Sequence, residues 1–108
     1  MDHRQLDQRS LVLAREIARR LLANPSLIQV ARDNLSRWQA RPDVGTALHQ
    51  CYLEWAALLD RLTIPELADL LQRDDEDGAR LRQNSPFAGI LSPEEVWQIK
   101  RDFKPEPA

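Results

Sequence analysis

"LDQRSLVLAREIARRLLANPSLIQVARDNLSRWQA", residues 6–40, decides the fold class. Leu6, Leu13, Ala14, Ile17, Ala18, Leu21 and Leu22 recur at three- and four-residue intervals, with Arg9, Arg15, Glu16, Arg19 and Arg20 between them. This spacing predicts one amphipathic helix over 5–23. Asn24 followed by Pro25 stops it and offers an N-cap and a first-turn proline to a second helix. The stripe of that helix, Leu27, Ile28, Ala31, Leu35 and Trp38, runs to about Ala40. A linker this short makes the two helices an antiparallel or strongly angled pair.

The pattern continues along the chain. "RPDVGT" (41–46) holds a Pro and a Gly and reads as a turn. Leu48, Cys51, Tyr52, Trp55, Leu58, Leu59 and Leu62 then mark a third helix, whose wide stripe predicts the deepest burial. "TIPE" (63–66) has capping-box spacing and opens a short fourth helix through Leu67, Ala68, Leu70 and Leu71. The acidic run "DDED" (74–77) suits the start of a fifth helix, with Asp77 or a neighbour as cap, although Gly78 in its first turn weakens it. "NSPFAGIL" (84–91) has neither helical nor alternating period and reads as a loop anchored by Phe87, Ile90 and Leu91. Ser92 and Glu95 repeat the capping box around Pro93, and a last helix carries Val96, Trp97, Ile99 and Phe103. No run of alternating β-branched residues occurs. The expectation is an all-α, compact bundle of five or six short helices, one domain over 1–104 with a frayed tail at 105–108.

Composition agrees. A chain of 108 residues, 43% hydrophobic and 30% charged, supports one core and excludes wholesale disorder. The net charge of −2 hides a split: residues 1–50 hold eight Arg against five acids, and residues 51–108 hold seven Lys or Arg against twelve acids. Such asymmetry can steer a partner without making a strongly basic domain. Thirteen of the fifteen cations are Arg, which binds carboxylates in a bidentate manner. The single cysteine, Cys51, excludes an internal disulfide, and no apolar run resembles a signal h-region or a membrane span. The expected location is cytoplasmic.

Chemical motifs fail on their spacing. Placing Gly78 at the turn position of a calcium loop puts Arg73 at the first ligand and Asn84 at the last, so both ends of the oxygen cage are wrong. His49 and Cys51, two residues apart on a helix, point to different faces, and only His3 is left to help. Glu94 and Glu95 fit a helix first turn better than acid–base work. Gly45, Gly78 and Gly89 make no phosphate loop. No catalytic, metal-binding or cofactor-binding residue is assigned, and a non-enzymatic chain is expected. "TIPELADLLQRDDEDGARLRQ" (63–83) resembles a DNA-binding helix-turn-helix in its capped first helix, Ala68 and Leu71. It departs at Gln72 and Arg73, and Asp75, Glu76 and Asp77 would face phosphates with like charge. A DNA-binding transcriptional regulator, using this element or Arg15, Arg19 and Arg20 of the first helix, is therefore the alternative and not the leading reading.

The leading reading rests on "RLRQNSPFAGILSPEEVWQIKRDF" (80–103), where a non-periodic connector joins two helices in an otherwise economical chain. Arg80, Arg82, Phe87 and Trp97 have the composition of an interface hot spot and are the expected partner-binding residues. The segments "NPSLIQVARDNLSRW", "YLEWAALLD" and "RLRQNSPFAGILSPEEVWQI" resemble small bacterial helical proteins found beside toxin partners. That resemblance implies an antitoxin, a cytosolic protein of a toxin–antitoxin system that works by binding and masking an enzyme. Apolar surface left over on the first helix is compatible with a homodimer.

Overall fold

A computed structural model describes residues 2–104, so the expected tail at 105–108 lies outside the described residues. Its elements are α1 (His3–Ala23), a 3-10 turn (Pro25–Leu27), α2 (Ile28–Gln39), α3 (Thr46–Arg61), α4 (Ile64–Leu71), α5 (Glu76–Arg82) and α6 (Pro93–Asp102), with no strand among the described residues. The all-α expectation is met.

The start of α1 is set by a capping box that the periodicity alone does not show. Gln5 N–H donates to Asp2 Oδ1 at 2.9 Å, and the Gln5 side chain accepts from the Asp2 amide. Leu11, Ala14, Ala18 and Leu21 form the buried edge of α1, and the pairing of α1 with α4 is the most extensive in the fold. Small residues permit that approach: Ala18 and Ala68 are almost wholly buried, in the same core cluster as Leu21, Leu67 and Leu71. Asn24 does not act as the expected side-chain cap. Its Oδ1 accepts from Ser26 Oγ at 2.6 Å, while the Leu27 amide bonds to the Asn24 carbonyl and winds the junction into the 3-10 turn before α2.

Helix α3 is not the most deeply buried element. Tyr52, Trp55 and Leu59 face the core, but Leu48 and Leu53 are exposed. Its most extensive helix pairing is with α2, and its wide stripe is covered only in part. Trp55 does the central packing. Its ring meets Phe87 edge-on, centroids 5.9 Å apart, and its Nε1–H donates to the Leu81 carbonyl at 3.1 Å. Trp38 and Tyr52 make a second, tilted ring pair at 5.4 Å across α2 and α3.

The capping boxes at Thr63/Glu66 and Ser92/Glu95 form as expected. For α5 the cap is Asp75, whose Oδ1 accepts from Gly78 N–H at 2.7 Å. Gly78 has a packing reason. A Cβ there would lie 2.4 Å from the Arg73 carbonyl oxygen and 2.8 Å from Arg73 Cβ, which is shorter than any tolerable contact with backbone. Gly78→Ala therefore loses stability despite its better helix propensity. The expected loss is about 2 kcal/mol, from forced backbone displacement, whereas Gly45→Ala, with open space around it, changes stability by less than about 1 kcal/mol. Urea unfolding of the two variants checks the contrast.

Candidate functional site on the outer face of the last helix

Four residues stand out in the sequence as partner contacts, and the structure scatters them among different environments. Phe87 is 1% exposed, inside the core against Trp55. Arg82 is buried as well, its side chain 3% exposed. Its Nη1 donates to the Arg73 carbonyl at 2.5 Å and more weakly to the Leu71 carbonyl at 3.4 Å, capping the carbonyl end of α4. Its Nη2 meets Asp7 of α1 at 3.0 Å. Arg80 is on the surface but already engaged. Its guanidinium holds Glu54 in a two-bond fork at 2.8 and 2.9 Å and also binds Asp77 at 2.8 Å. That fork lowers the Glu54 pKa below its ordinary value. Arg82 and Phe87 are thus corrected from surface contacts to interior supports, because helix-end carbonyls and an aromatic neighbour claim them.

The non-periodic connector has a matching explanation. Asn34, buried on α2 between Ala31 and Leu35, donates through Nδ2 to the carbonyls of Pro86 and Ala88, both at 2.8 Å, and its Oδ1 accepts from Arg37. Those carbonyls have no helix partner, and the amide satisfies that of buried Pro86, which would otherwise be left unpaired, together with that of Ala88 nearer the surface. Phe87 and Leu91 insert on either side, and Gly89 makes the reversal with φ of +97°. Asn34 carries a signal that sequence reading passed over: a polar residue at a stripe position, three residues after Ala31.

Trp97 remains. It is 59% exposed on α6, the helix with no buried residue, and the Arg101 guanidinium stands 4.8 Å from its ring centroid. Val96 and Ile99, both half-buried, form the inner edge of α6. A groove of about 550 Å³ separates its far end from α1, with Leu11, Val12, Ile99 and Phe103 among its walls and Arg15 and Lys104 at its rim. The near end is pinned by Arg20 of α1, which binds Glu95 through Nη2 and Glu16 through Nε at 3.1 Å. Arg20 also pulls the Glu95 carboxyl down from its ordinary 4.5 to about 2, helped by the Ser92 amide. Glu16 is likewise lowered to about 2, chiefly by its bond to Arg19.

Other chemistries find little material. Among the described residues no group of three or more His, Cys, Asp or Glu is placed to hold a metal ion. No helix of the described residues is long and apolar enough to cross a membrane. In the segment resembling a helix-turn-helix, α5 begins with Glu76 and Asp77, and both of its arginines are engaged with acids. On α1, Arg19 and Arg20 are paired with Glu16. Comparison with protein-family models, with curated proteins and with solved structures finds no match to this chain.

Two outcomes follow from these contacts. Arg82→Ala strips a buried guanidinium from Asp7 and from two helix-end carbonyls, and costs on the order of 3 kcal/mol. Arg80→Ala breaks only exposed pairs and costs less than about 1 kcal/mol; equilibrium unfolding separates the two. The second outcome concerns acid. The folded-state pKa of Glu95 lies below its ordinary value, so the stabilisation is complete above pH 4.5 and is lost as pH falls toward about 2. Thermal melts of the wild type drop across that window, whereas Glu95→Gln, which keeps the reciprocal capping bond, shows a shallower drop.

Proposed function

We propose that this chain is a non-enzymatic protein-binding module that engages its partner through the outer face of α6. The observation that supports this most is Trp97, 59% exposed and roofed by Arg101, on a helix that contributes no buried residue to the core. A large aromatic left in water forgoes roughly 1.5–3 kcal/mol of burial, and Trp and Arg are the side chains most enriched at binding hot spots. Covering that ring with a partner would recover the burial, and Arg101, now in a loose exposed pair with Asp102 at 3.6 Å, could exchange it for a partner's carboxylate.

The sharper form of the proposal is an antitoxin that binds and masks a toxin enzyme. It rests on the resemblance of segments 24–38, 52–60 and 80–99 to helical antitoxin partners, and it adds a specific consequence to the same surface: the α6 face would contact the enzyme. DNA binding is favoured by no particular feature of α5, since Arg80 and Arg82 have protein carboxylates as partners.

Affinity purification from the cells that encode the chain, read by mass spectrometry, tests the proposal. The wild type is expected to retain one stoichiometric protein, and Trp97→Ala to lose it by more than about tenfold while unfolding within about 0.5 kcal/mol of the wild type. Equal retention by Trp97→Ala would contradict the α6 assignment. If the retained protein arrests growth alone and is neutralised by co-expression of this chain, the antitoxin form stands; if it has no such effect, only the binding module remains.

A further inference from the structure

A second surface lies away from α6, where α3, α4 and α5 enclose a groove of about 460 Å³. Leu58 comes from α3, Leu62 from just past its end, Leu70 from α4 and Leu81 from α5, and the first three are only partly covered. Apolar surface of this kind is costly to leave wet. Its rim is charged, and the charges are not balanced. Arg80 is shared by Glu54 and Asp77, and Arg73 by Asp75 and Asp77, so two guanidinium groups face three carboxylates. Glu66 is held as the α4 cap, yet stays ionised, with its pKa lowered by the Thr63 amide. Asp69, on the rim, makes no hydrogen bond or ion pair through its side chain among the described residues. Against these acids the only rim cation without a close carboxylate is Arg61, which acts on Glu66 at longer range.

Leucine walls with a surplus of carboxylates at the edge define the complement: apolar knobs at helical spacing flanked by cations. We infer that the α3–α4–α5 groove docks a cationic amphipathic helix of a partner protein. This goes beyond the α6 reading and does not depend on it, since Trp97 and Arg101 are not among the groove's residues. The leucines supply the burial, and Asp69 with Glu66 selects positive flanks and rejects negative ones.

The test uses the full chain and a labelled synthetic peptide of about 18 residues with Leu and Lys at amphipathic spacing, followed by fluorescence anisotropy. Binding is expected, weakening as salt rises. It falls by about tenfold or more in Asp69→Lys and remains within about twofold in Glu94→Lys, which makes the same change of net charge on α6. Trp97→Ala leaves peptide binding unchanged, so failure here and failure of the α6 proposal are told apart. A peptide with Ala in place of Leu binds about tenfold more weakly. Equal losses in Asp69→Lys and Glu94→Lys would reduce the effect to net charge and overturn the inference, as would equal binding of the Ala peptide or no binding at all. Self-association of the unliganded chain that Asp69→Lys disperses would also overturn it, assigning the groove to a second copy.

Discussion

One buried guanidinium holds together what the helices alone would not. Arg82 reaches from α5 to the carbonyl end of the preceding α4 and to Asp7 near the start of α1, so two neighbouring helices and one distant in sequence share one set of hydrogen bonds. Helix α4 has eight residues and α5 has seven, both shorter than the length at which helices persist in isolation. Their stability comes from tertiary packing, and Arg82 supplies the polar half of it. The apolar half is Trp55, which is joined to α5 by its bond to the Leu81 carbonyl and to the connector by its contact with Phe87. Arg82 Nε has no hydrogen-bond partner among the described residues, so the arrangement is not free of cost.

From this follows a division of labour along 80–103. The connector is long because it runs over the core, fastened by Asn34, Phe87 and Leu91, and then delivers α6 to the outside of α1. Arg82 and Phe87, before Leu91, are structural, and Trp97, beyond it, faces solvent. Helix α6 is fixed by a polar pin, Arg20 with Glu95, and by half-buried Val96 and Ile99, so its outer face is free of duties to the core. That is the physical basis for proposing Trp97, and not the arginines before the loop, as a partner contact.

Much of the scaffold was legible. Apolar spacing located the helices, and the Thr63/Glu66 and Ser92/Glu95 boxes were readable because capping is local chemistry. What escaped was non-local. Arginine is seldom buried, and nothing near Arg82 in sequence announces Asp7, seventy-five residues away. Likewise the partners of Asn34 lie more than fifty residues downstream. The width of the α3 stripe overstated its burial because a stripe tells what could be covered, not what neighbour arrives to cover it. Trp97 was singled out from the sequence together with Arg80, Arg82 and Phe87, whereas its actual cationic neighbour, Arg101 one turn later at i, i+4, was passed over.

The central claim is that α6 is appended to a core complete without it. Native-state hydrogen exchange as a function of denaturant tests this most directly, because it resolves the opening free energy of each helix. The account predicts that α6 amides exchange through a local opening well below the global unfolding free energy, while those of α1 and α4 exchange only on global unfolding. Amides of α6 that exchange only together with α1 and α4 would contradict it.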